Sequence, residues 1–118
     1  MSGSWLRLLK WKPHSRAAAA PVPGPAFRVL MVCTGNICRS PTAQAVLMAK
    51  AKARGLHERV TVDSAGTHGF HLQEPPDVRA QRHGARRGYD LKKLRARSVD
   101  DADFQRFDLI LAMDEKNL

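Results

Sequence analysis

The chain has 118 residues and a formal net charge of +9, with 20 lysines and arginines against 11 aspartates and glutamates. That length is one domain's worth, and a basic excess suits an anionic ligand as well as it suits a nucleic acid. With no aromatic-basic RNA motif, no zinc-finger spacing, only Cys33 and Cys38 as cysteines and no apolar run of membrane length, the composition argues against a nucleic-acid partner, a disulfide-stapled secreted scaffold and a membrane span, and makes the cytoplasm the default compartment.

Residues 1–26 read as a disordered, basic, Pro/Ala-rich extension. Trp5, Leu8, Leu9 and Trp11 interleave with Arg7, Lys10 and Lys12, a pattern shared with membrane-surface segments, but it is cut short by Pro13. Charges interrupt every apolar run, which argues against a secretory signal. Residues 17–25, Ala-Ala-Ala-Ala-Pro-Val-Pro-Gly-Pro, read as an extended linker.

The domain spans residues 27–118. Val29, Leu30, Met31 and Val32 form a continuous apolar run, as expected of a strand buried on both faces. A turn follows, Cys-Thr-Gly-Asn-Ile-Cys-Arg-Ser-Pro. Residues 42–54 are rich in good helix formers, with Ser40 expected as N-cap, Pro41 at the first helical position and Gly55 as the stop. Residues 60–62 predict a second strand leading into Asp63-Ser64-Ala65-Gly66-Thr67. After a loop punctuated by Pro75 and Pro76, residues 78–87 predict a helix closed by Gly88, with Arg79, Arg82 and Arg86 on one solvated face. Residues 101–107 suggest a short helical turn, and residues 109–113 a further buried strand. Alternating strands and helices imply an α/β fold, a three-layer α/β/α arrangement with a parallel sheet and right-handed crossovers. In such sheets ligands bind beyond the carboxyl ends of the strands, where the cysteine-arginine turn sits.

A strand, a glycine-containing turn and a helix start together build an anion site. Amides of the turn converge as a nest, and the helix start adds positive potential. Gly35 brings no Cβ to clash, and Asn36 tolerates positive φ. Cys33 stands just after the strand, where amide dipoles and an arginine favour the nucleophilic thiolate. Arg39 offers a planar fork matched to two phosphoryl oxygens, and Ser40 can hydrogen-bond the sulfur. Thr34, Gly35, Asn36, Ile37, Cys38 and Ser40 are therefore the candidate substrate-binding residues, with Cys33 and Arg39 catalytic. Cys38 is either a thiol that traps an oxidised Cys33 as a reversible disulfide or a small packing residue. His68 and His71 lack a third ligand at sensible spacing, so no metal is expected, nor any other cofactor.

The run from Cys33 to Pro41 resembles the phosphate-binding loop of the low-molecular-weight protein tyrosine phosphatase family. Further similarity lies in Asp63-Ser64-Ala65-Gly66-Thr67, Pro75-Pro76-Asp77, Arg95-Ala96-Arg97 and the segment from Phe107 to Asp114. The resemblance implies hydrolysis of phosphotyrosine proteins or small aryl phosphates through a phosphocysteine on Cys33, with inorganic phosphate as product. It implies that Asn36 and Ser64 brace the loop and that Phe70 and His71 frame the substrate ring. It also implies features not found in this sequence: an Asp-Pro general-acid loop and a final strand and helix, so the domain is expected to be incomplete at its C-terminus. Asp77 lies in the wrong place for that acid, Asp114 reads mainly as structural, and Leu94 stands where relatives often carry histidine. The alternatives are a catalytically impaired oxyanion-binding module and an arsenate reductase on the same scaffold, the latter needing relay cysteines beyond Cys38.

Overall fold

The structure, a computed structural model, describes residues 26–117. The segment read as a disordered extension lies outside the described residues except for Ala26. Three strands form one parallel sheet in the order β2-β1-β3, where β1 is Phe27–Cys33, β2 is Val60–Gly66 and β3 is Leu109–Ala112. The apolar run takes the middle place, and Val29 through Cys33 are all buried. A central strand is covered on both faces and flanked by hydrogen-bond partners on both edges, which is why its sequence does not alternate.

Successive side chains of a strand point to opposite faces. On one face Leu30 and Val32 pack with Ala65 of β2, Ile110 of β3, and Val99 and Phe107 from the segment before β3. On the other face helix α1, Arg39–Ala53, lies over β1 and β2, and helix α2, Val78–Arg86, packs against α1. The three expected layers are present, and the layer formed by residues 99–107 contains only one short helix, α3, Asp103–Arg106.

The elements depart from the sequence expectation in three places. First, α1 begins at Arg39 with Cys38 in the capping position, so Ser40 is not the N-cap. Asn36 at φ +58° turns the chain into the helix early, and Thr42 already donates its N–H to the Cys38 carbonyl. Second, β2 runs on through Gly66, pairing Asp63 with Leu30 and Gly66 with Cys33. Third, β3 is not a buried strand. Leu109 and Leu111 each stay 40% exposed, because β3 pairs with β1 on one side and α1 covers β1 and β2 instead.

Below the sheet an ionic cluster ties distant segments together. Arg97 donates to Asp63 at 3.1 Å and to both oxygens of Asp103 at 2.9 and 3.0 Å. Asp103 is fully buried, and it also accepts from Arg106 and from the Asp100 amide. Burial alone would push its carboxyl up. The hydrogen bonds from Arg97, the Asp100 amide and Arg106 overcome that and hold it at about 2. A carboxyl held lower in the folded than in the unfolded chain adds stability that is complete above about pH 4 and is lost as pH falls toward about 2. Asp103→Asn is expected to lower stability at neutral pH by about 3 kcal/mol, because it removes the buried charge that Arg97 and Arg106 share, and to flatten the loss between about pH 4 and about 2. Urea unfolding at several pH values measures both; a variant that keeps the wild-type acid limb would show that Asp103 is not its source.

Candidate active site

The residues between β1 and α1 wrap around one sulfur. Cys33 is 3% exposed, and its Sγ lies 3.0 Å from the Ser40 hydroxyl. The direction of that bond follows from the neighbours. The Asn36 side-chain amide donates one proton to Ser40 Oγ at 2.8 Å and the other to Ser64 Oγ at 2.9 Å. Its Oδ1 accepts the Arg97 backbone N–H at 2.9 Å, which fixes which end of the amide is which. Ser40, already accepting from Asn36, has its own proton free for Cys33. Ser64 passes its proton to Gln44 Oε1 at 2.6 Å, and Gln44 Nε2 donates to the Val62 carbonyl. The chain of donors therefore ends on the sulfur, which is the arrangement a thiolate requires.

Burial alone would raise the Cys33 thiol. The Ser40 hydroxyl, the amides of Ser40 and Asn36 and the charge of Arg39 outweigh it and hold the thiol below its usual value. Those amides point inward because the loop's carbonyls are engaged outward. The Cys33 carbonyl takes the Thr67 N–H, that of Thr34 takes His68 N–H, and that of Ile37 takes Asp77 N–H, at 2.7–2.9 Å. What remains inside is a nest of donors at the start of a helix.

Two glycines let the backbones come this close. A Cβ on Gly66 would stand 2.7 Å from the Thr34 carbonyl oxygen and 3.1 Å from the Asn36 nitrogen, so the end of β2 fits the loop only without a side chain. A Cβ on Gly35 would stand 3.1 Å from the His71 ring. Gly35 thus serves packing, and the left-handed turn belongs to Asn36.

The structure brings Cys33, Thr34, Gly35, Asn36, Ile37, Cys38, Arg39 and Ser40 into one loop, with Ser64 behind it. Cys33 is buried and Cys38 exposed, and both are free thiols. Arg39 acts on the sulfur through its charge alone; its guanidinium donates to Asp114 Oδ2 at 2.7 Å, a pair left only half-buried. His71 lies against Gly35 with Nδ1 paired to Glu74 at 3.1 Å, while Phe70, 70% exposed, stacks on His68 with centroids 5.1 Å apart. No cluster of metal-ligating side chains occurs among the described residues, and none of their helices is long and apolar enough to cross a membrane. Sequence reasoning missed Gln44 and Arg97 and underrated Asp114. Gln44 had a positional signal, one helical turn beyond Ser40 on the same face, whereas Arg97 and Asp114 were marked only by the similarity of the segments that contain them.

The family model for low molecular weight phosphotyrosine protein phosphatase matches residues 28–118. The chain is 46% identical over 90 residues to the human low molecular weight phosphotyrosine protein phosphatase, covering 76% of this chain and 56% of that protein. The crystal structure of YfkJ from Bacillus subtilis superposes with a TM-score of 0.78 at 41% identity, covering 81% of this chain and 60% of that one. A protein tyrosine phosphatase from Entamoeba histolytica, solved with Hepes in its active site, gives 0.75 at 41% identity, covering 78% and 58%. The chain thus spans a little under three fifths of the length of the curated relatives it matches.

Two substitutions probe this architecture. Ser40→Ala is expected to shift the ionisation of Cys33 to higher pH, read from the pH profile of iodoacetamide alkylation, because the thiolate loses its hydroxyl donor; a wild-type profile like that of a free cysteine would refute the thiolate. Gly66→Ala is expected to cost about 2–3 kcal/mol of stability by overpacking backbone against backbone; an unchanged urea midpoint would show that the contact is slack.

Proposed function

The chain belongs to the low molecular weight phosphotyrosine protein phosphatase family, and from that premise we propose that it hydrolyses phosphate monoesters of phosphotyrosine or small aryl groups through a phosphocysteine on Cys33. The observation that carries this reading is the buried sulfur at the end of a directed chain of donors, 3.0 Å from the Ser40 hydroxyl. In the first step Cys33 Sγ attacks phosphorus, the S–P bond forms and the P–O ester bond breaks, releasing the aryl oxide. In the second, water attacks the same phosphorus, the S–P bond breaks, and inorganic phosphate leaves with Cys33 restored as thiolate. Loop amides and the Arg39 fork hold the three equatorial oxygens, over which charge is spread in the transition state. Ser40 can donate to the sulfur each time it departs from phosphorus. Thr34, Gly35, Asn36, Ile37 and Cys38 form the wall of the phosphate cradle, and Ser64 acts through Asn36.

The proton for the leaving group is the weak point of this reaction in the described residues. Asp77 is held below the usual carboxylate range by Arg79, and Asp114 by Arg39. Neither carries a proton to give at neutral pH. A missing general acid slows expulsion of a poor leaving group by about a hundred- to ten-thousand-fold. The second reading, an oxyanion-binding module without turnover, draws on this same observation.

The 118-residue chain is expected to release p-nitrophenolate from its phosphate ester and to turn over phenyl phosphate at least about a hundredfold more slowly. Acid quenching during turnover should leave phosphate on Cys33, absent in Cys33→Ser. Vanadate binding with no phosphoenzyme from either ester supports the module; equal rates on both esters would show that a proton donor is present.

A further inference from the structure

Arg39 does not rest on the sulfur it serves. Its Nη1 donates to Asp114 Oδ2 at 2.7 Å, and its Nη2 makes a longer 3.5 Å contact with Thr34 Oγ1. Both partners are themselves fixed. The second oxygen of Asp114 accepts the Lys116 N–H at 2.9 Å, and its carbonyl accepts the Asn117 N–H at 3.1 Å, closing the short turn Glu115–Asn117. Asn117 is buried, and its Nδ2 donates to Thr34 Oγ1 at 3.2 Å although its Oδ1 finds no partner among the described residues. The sheet sets the level at which this happens. Ala112 lies beside Val32, and Met113 donates its N–H to the Val32 carbonyl. The next residue, Asp114, therefore emerges alongside the start of the loop.

We propose that the turn after β3 is an alignment device for Arg39, in which Asp114, seconded by Asn117 through Thr34, is the positioning residue that fixes the plane of the guanidinium before substrate arrives. The two contacts leave Nε–H and one N–H on each terminal nitrogen free for phosphoryl oxygens. An arginine fork stabilises a transition state to the extent that it is already oriented there, because reorientation during reaction is then avoided. The same carboxylate repels an incoming anion. Asp114 therefore trades ground-state affinity for alignment, and a residue that merely stabilised the fold would not separate the two. Asp114 is ionised at neutral pH, since Arg39 holds it below the usual carboxylate range.

This inference rests on the phosphatase reading for its kinetic consequence and on the geometry alone for its physical one, so two measurements separate them. Asp114→Asn keeps the shape and removes the charge. The kcat for p-nitrophenyl phosphate is expected to fall about tenfold, while the competitive Ki of inorganic phosphate holds or tightens by up to about threefold. An unchanged kcat overturns the proposal, and so does weakened phosphate binding that parallels a fall in Tm. In the unmutated chain, with arginine labelled by nitrogen-15, the two Nη signals of Arg39 should be resolved by restricted rotation and should merge in Asp114→Asn. A single averaged signal in the unmutated chain overturns the proposal whatever the catalytic result. If p-nitrophenyl phosphate is not turned over at all, the phosphatase reading fails, and the Arg39 signals still decide the alignment.

Discussion

Both protons of the Asn36 side-chain amide are committed, one to Ser40 and one to Ser64, and the rest of the site depends on that commitment. An amide that donates twice forces each hydroxyl to spend its own proton elsewhere: Ser64 on Gln44, Ser40 on the sulfur. Had the amide been reversed, its oxygen would face two hydroxyls and its nitrogen would face the Arg97 N–H, leaving a donor against a donor in a buried place. That clash would cost roughly a few kcal/mol per unsatisfied polar group, and the observed orientation avoids it. The polarity of the site is therefore set by satisfaction of buried hydrogen bonds, and a thiolate is its natural end point.

The fold's part is to hold Asn36 where it can do this. Its backbone takes the left-handed conformation that few residues accept, its side chain is 2% exposed, and its partners come from α1, β2 and the segment at Arg97. Arg97 belongs at once to the loop, through its backbone, and to the ionic cluster with Asp63 and Asp103, through its side chain. The anion cradle on one end of the sheet and the charged cluster beneath it are thus mechanically one unit. Disturbing the cluster shifts the peptide that orients the Asn36 amide.

Much of this was legible from the sequence because the relevant information is local. A central strand needs an unbroken apolar run, and residues 29–32 supply one. A phosphate cradle needs its glycine, asparagine, cysteine and arginine within a few residues of each other, and they are. What was not legible depends on contacts between distant positions. Arg97 meets Asn36 across 61 residues, and Arg39 meets Asp114 across 75; neither separation leaves a periodic trace. Ser40 was misjudged for a different reason. A serine before proline has the local chemistry of a cap, but a buried thiolate and a buried amide compete for the same hydroxyl, and they outweigh a solvent-facing helix end. The exposure of Leu109 and Leu111 was hidden for a third reason, since an apolar run looks the same whether or not another layer covers it.

The contact at Gly66 has a consequence for inheritance. Where a strand meets a loop through bare main chain, any side chain with a Cβ is disfavoured by steric hindrance rather than by its chemistry, because the two backbones must part to admit it. The hollow around the sulfur is then copied from one generation to the next by an absence of atoms. Drift can repaint the walls of this pocket, but at Gly66 every atom added presses strand and loop apart.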